Sequence, residues 1–117
     1  VYGLPADFDG AFLVGQTLAS VSFTANQAIL QFDETVIVIE GAYAYSSDAG
    51  ALVEGEQPRG PSHLMRFIER PVCSVEGEPG GHVLTLAFGE AGIIRIIEDA
   101  VNYECFHIHH AGRHIIV

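Results

Sequence analysis

Apolar and polar residues alternate along most of this 117-residue chain. Period-two alternation marks strands with one buried face. Residues 17–24 carry Leu18, Val21 and Phe23 as inward groups and predict a first strand. Asn26-Gln27 turns the chain into a strand over 28–32, where Ala28, Leu30 and Phe32 share a face. Asp33-Glu34 has hairpin spacing and leads to a strand over 35–40 that is aliphatic on both faces, which calls for burial on both sides or a contact between copies. A short strand follows over 41–45, then a loop over 46–50. Residues 54–61, Glu-Gly-Glu-Gln-Pro-Arg-Gly-Pro, read as loop. Pro61-Ser62 opens a short helix over 62–70, with Leu64, Phe67 and Ile68 on one face and Pro71 as its stop, placed to plug an open end of the sheet. Beyond the turn Gly77–Gly81, strands are predicted over 82–88, 92–98, 102–109 and 114–117, with His110–Arg113 as the last turn.

The pattern occurs twice. Ala28-Ile29-Leu30-Gln31-Phe32-Asp33-Glu34, then Val36-Ile37-Val38-Ile39-Glu40 and Tyr43, is echoed by Leu84-Thr85-Leu86-Ala87-Phe88-Gly89-Glu90, then Ile94-Arg95-Ile96-Ile97-Glu98 and Tyr103. The pseudo-repeats span about 17–45 and 72–106, with the helix between them. A single domain over 1–117 follows from the length, in which a chain buries roughly two thirds of its unfolded surface. Strands on this spacing imply a mainly β fold: a duplicated antiparallel roll or partly open barrel with one short helix.

Composition narrows the function classes. Half the chain is hydrophobic (49%) and 17% is charged, which argues against disorder. The formal net charge of −10, with five Arg and no Lys, repels nucleic-acid phosphates and anionic lipid, and favours a basic protein partner or a cation. The aliphatic runs are too short to span a bilayer as helices. Cys73 and Cys105 fall near equivalent ends of the two repeats, close enough in principle to pair, but a core-rich chain needs no disulfide. Reduced thiols and a cytoplasmic setting are the expectation.

Two groups of residues carry candidate chemistry. With 110–113 as the turn, His109 faces His114 across the hairpin and His107 shares their face. Three imidazoles on one face suit a divalent transition metal such as zinc, nickel or copper, in a metal-binding protein or a small metal-dependent enzyme. No other cofactor is implied. The second group is Glu40, Tyr43, Tyr45 and Asp48, aromatic anchors in an acidic rim of the kind that binds proteins. Glu40 and Glu98 occupy matching repeat positions, where a pseudo-two-fold would bring two carboxylates together. Cys105 lies two residues from His107 on one strand face, and its expected role is packing. Asp7-Phe8-Asp9-Gly10 resembles the start of a calcium loop but lacks the later ligands, and reads as a turn. No nucleophile elbow, phosphate loop or dinucleotide fingerprint is present.

Tyr103-Glu104-Cys105-Phe106-His107-Ile108, followed by Gly112 and Ile115-Ile116-Val117, resembles the Tyr-Glu-Ser-Tyr … Gly … Ile-Val ending of a group of small bacterial β domains. Gly15-Gln16-Thr17-Leu18 through Ile39-Glu40-Gly41 resembles their first half, with Cys105 and Phe106 departing from the Ser-Tyr pair. The resemblance implies a fold and no particular activity; by analogy, small acidic proteins of this kind serve as immunity proteins beside toxins. The sequence thus leads to a non-enzymatic protein-binding module that self-associates through strand edges or strand 35–40.

Overall fold

The computed structural model describes residues 3–25, 27–46, 53–55, 62–98 and 105–117. Ten strands are described: β1 (Leu18–Phe23), β2 (Ala28–Phe32), β3 (Thr35–Ile39), β4 (Ala42–Ser46), β5 (Val53–Gly55), β6 (Ser74–Glu76), β7 (Val83–Ala87), β8 (Ile93–Ile97), β9 (Phe106–His110) and β10 (Arg113–Ile116). They build two antiparallel five-stranded sheets, ordered β1-β2-β3-β9-β10 and β5-β4-β8-β7-β6. The fold is mainly β as the alternation implies, in the form of two open sheets with neither closed into a barrel. Strand β5 falls where the sequence suggests only loop.

The inward residues of both sheets belong to one apolar cluster. Leu18, Leu30, Phe32, Ile37, Ile39, Phe106 and Ile108 come from the first sheet, and Tyr43, Leu84, Leu86, Ile94 and Ile96 from the second. Phe32 and Phe88 stack across the core at 6.5 Å between ring centroids. The segment predicted as a helix over 62–70 is a 3-10 helix, Ser62–Phe67. Its tighter winding of about three residues per turn sets Leu64 and Phe67 above one another, and both are fully buried. Ile68, which a helical period would add to that face, only packs at the margin of the core.

The strand order is conserved when every label is advanced by five. Strands β1-β2-β3 form a meander and the chain then crosses to the other sheet as β4-β5; β6-β7-β8 form a meander and the chain crosses back as β9-β10. The approaches to the meanders touch each other: Thr17 bridges Pro71, Gly15 N–H donates to the Val72 carbonyl at 2.8 Å, and Val72 N–H donates to the Gln16 carbonyl at 2.9 Å. The correspondence is one of topology; the faces follow it in β2 and β7, where Ala28, Leu30 and Phe32, and then Leu84 and Leu86 with Phe88 just beyond, are buried, but not in β3 and β8. Ile39 pairs with Phe106 and both are buried, whereas Ile97 pairs with Ala42 and both are half-buried. One residue of slip reverses a strand's face, so the second meander reaches the same topology in a shifted ladder.

The first crossing is stitched to the start of β9. The carbonyl of Cys105 accepts from Glu40 N–H at 2.8 Å and Gly41 N–H at 2.9 Å. A Cβ at Gly41 would stand 3.1 Å from that of Cys105, a tight approach that glycine relieves. The final hairpin turns on Ala111 and Gly112, both at positive φ (50° and 80°), a two-residue loop of the type that matches strand twist. Ala111 is out of place there, since the left-handed region disfavours a β-carbon. Ala111→Asn is therefore expected to stabilise the protein by about 0.5–1 kcal/mol, read as a rise in the midpoint of denaturant unfolding.

Candidate functional site

The outer face of the first sheet carries the histidines. Within β9, Phe106 and Ile108 point into the core, which leaves His107 and His109 on the outside. The β9–β10 register sets His114 opposite His109 and Ile116 opposite His107. On the other side, β3 pairs Val36 with His109 and Val38 with His107. The aliphatic double face of β3 is thereby resolved: Ile37 and Ile39 fill the core, and Val36 and Val38 form a half-buried bed beside the imidazoles. Strand β3 is internal to its sheet, so its edges are closed to another copy.

The imidazoles are joined to Glu40, which the bend after β3 delivers to the same place. Glu40 Oε1 lies 2.9 Å from His107 Nε2, and Glu40 Oε2 accepts from the Gln27 side-chain amide at 3.2 Å. His107 Nδ1 lies 3.0 Å from His114 Nε2. A carboxylate can only accept, so for neutral rings the order of protons is fixed. His107 donates from Nε2 to Glu40, its Nδ1 accepts from His114 Nε2–H, and His114 keeps a lone pair at Nδ1. The His109 ring stacks on that of His114 at 4.1 Å between centroids and 17° between planes. Gln27, Val38, Glu40 and the three histidines line an open groove of about 350 Å³.

This arrangement bears on each expected site. His107 Nδ1 is engaged by His114 Nε2, and the His109 ring lies face to face with that of His114. Among the described residues no group of three or more His, Cys, Asp or Glu is placed to hold a metal ion. Of the second group, Tyr43 is 1% exposed and part of the core, which is a correction to its expected role as a surface anchor. The period-two set that faces the core in β4 includes both tyrosines, and Tyr45 packs on the margin of the cluster. Burial, and Tyr45 beside it, raise the Tyr43 pKa. Asp48 lies outside the described residues. No disulfide joins Cys73, which is exposed, to Cys105, which is buried.

Glu98 has its own histidine. Its side chain, 3% exposed, pairs with the imidazole of His82 and accepts from the backbone N–H of Gly3 at 3.1 Å. Burial opposes its ionisation, but the hydrogen bonds to the carboxylate outweigh burial and hold the pKa at about 2. The described partners of Glu40 and Glu98 therefore differ, and each carboxylate pins a different segment. A third polar chain was not foreseen. Gln16 receives the Glu34 N–H on its amide oxygen at 2.9 Å and donates to the Thr35 hydroxyl at 2.8 Å, and Thr35 lies 2.7 Å from His110 Nδ1. The only sequence signal for it was a threonine on the inward face of a strand.

No family model, no curated protein and no solved structure matches the chain. None of the helices among the described residues is long and apolar enough to cross a membrane.

Two titrations follow. Desolvation, then the charges of His114 and His107, lower the His109 pKa. The unfolded chain takes up that proton more readily than the native one, so stability is present above the ordinary imidazole pKa and falls as the pH drops through it. His109→Asn should flatten that part of the unfolding profile. For Glu98 the native pKa is the depressed one, so its contribution is full above the ordinary carboxylate range and is lost as pH falls towards about 2. Glu98→Gln should cost about 1–3 kcal/mol at neutral pH and remove this acid-dependent component, as measured by urea unfolding across pH.

Proposed function

We propose that the protein is a non-enzymatic protein-binding module, with the groove on the outer face of the first sheet as its binding site and a basic protein as its partner. The observation that carries this reading is the Glu40–His107–His114 chain. Its carboxylate and imidazoles are hydrogen-bonded in series on a half-buried aliphatic bed that is open to solvent. An apolar centre inside a polar rim is the anatomy of an interface. The net charge of −10 supplies the attraction for a basic partner. Self-association belongs to the same reading. The strand edges open to a second copy are those of β1, β10, β5 and β6. An immunity-like role in a bacterial cytoplasm, beside a basic toxin, is its most concrete form.

The test is calorimetry with a co-purified basic partner across salt and pH. The dissociation constant should rise with ionic strength. It should also rise as acid protonates His109, because that gives the groove a charge of the partner's own sign. Glu40→Gln should weaken binding by about fivefold to tenfold. A complex indifferent to salt and to Glu40→Gln would overturn the reading. Near-stoichiometric zinc, nickel or copper in untagged protein, lost in His109→Ala, would replace it with a metal site at His107, His109 and His114. A concentration series by light scattering that shows only a monomer would remove self-association.

A further inference from the structure

The inward face of the final hairpin ends in a second cavity, of about 230 Å³, between the hairpin tip and the N-terminal arm. Its floor is apolar: Phe8 (6% exposed), Ile115 (4%) and the ring of Phe12. Phe8 and Phe12 meet edge to face at 6.4 Å. Phe12 also lies against the imidazole of His110, 4.4 Å between centroids. The rim is charged. Asp7 accepts from the Arg113 guanidinium at 3.1 Å through Oδ1, and Asp9 Oδ1 caps the turn Gly10–Leu13 by accepting from Ala11 N–H at 2.9 Å. The second carboxylate oxygens of Asp7 and Asp9 have no donor among the described residues. Two aspartates against one arginine leave the rim with one net negative charge.

The buried wall fixes the remaining group. Thr35 is 1% exposed, and its hydroxyl oxygen already accepts from Gln16. It is also hydrogen-bonded to His110 Nδ1, 2.7 Å away. That bond anchors the imidazole, whose ring lies tilted against Phe12 at 33° between planes. It adds an aromatic surface to the wall.

We infer that this cavity receives a guanidinium group: planar, cationic, able to lie on the Phe12 ring and to donate to the spare oxygens of Asp7 and Asp9. Its volume is below the roughly 300–1,000 Å³ of sites for drug-sized ligands, which suits one side chain or one small cation. The group comes either from an arginine of a basic protein or from a small free guanidinium compound. The first source rests on the binding-module reading above; the second does not. Arg113, itself part of the lining, already shows one guanidinium seated on Asp7.

The experiment is a titration of the full chain with ethylguanidinium, followed through backbone amide NMR signals at constant ionic strength. Saturable shifts are expected at Phe12, His110 and Ala111, and not at His107. Asp7→Asn with Asp9→Asn keeps the hydrogen-bond acceptors and the cap while removing both charges, and should weaken binding about tenfold or more. Phe12→Leu should weaken it several-fold, and Glu40→Gln should leave it unchanged. A blocked arginine peptide that binds more tightly than ethylguanidinium assigns the source to a protein; equal or weaker binding assigns it to a small compound. Shifts that never saturate, that sodium chloride reproduces, or that persist unchanged in the double aspartate variant overturn the inference. Circular dichroism of each variant checks that it is folded. Loss of the groove's salt-dependent complex with this titration intact would sink the binding-module reading alone.

Discussion

The carbonyl of Cys105 holds two backbone N–H groups, those of Glu40 and Gly41, at the point where the chain leaves the first sheet for the second. Much else depends on that contact. It places β3 beside β9, which closes the core of the first sheet, and it starts β4 on the line where it meets β8. It also brings the Glu40 side chain within reach of His107, two residues beyond Cys105. A residue with a β-carbon at position 41 would stand 3.1 Å from the Cys105 Cβ, at the contact that joins these elements.

Alternation of apolar residues was enough to read most strands to within a residue or two, because burial on one face is what the alternation encodes. The hairpin register that sets His109 opposite His114 was legible for the same reason: a short turn fixes local pairing. Contacts made at long range were not legible. Glu40 and His107 are 67 positions apart, and nothing local in either segment announces the other. The sequence therefore assigned Glu40 to a tyrosine patch and the histidines to a metal face, when the fold joins the carboxylate to the imidazoles. Tyr43 shows the converse error. Its flanking polar residues suggested a surface, but strand parity after the bend at Gly41 aims it inward. The short 3-10 helix was misjudged in pitch, since Leu64 and Phe67 fit a period of three as well as one of 3.6.

The two halves share a strand order but not a chemistry. In the first sheet the outer face holds imidazoles around Glu40; in the second, Arg95 lies between Ile93 and Ile97 on the corresponding face, paired across the ladder with Thr85 and Ala44. The shifted ladder explains the difference. In β3 and β8, positions that match in sequence do not match in facing, so the outer faces carry separate sets of polar groups.

The final hairpin carries both candidate sites on opposite sides of one ribbon: His107, His109 and His114 outward, His110, Arg113 and Ile115 towards the second cavity. Alternation welds them together. Substitutions can alter either side independently, but a residue inserted within β9 or β10 that shifts the register turns the side chains beyond it to the opposite face. Length is therefore the shared constraint on two sites whose side chains are otherwise separate.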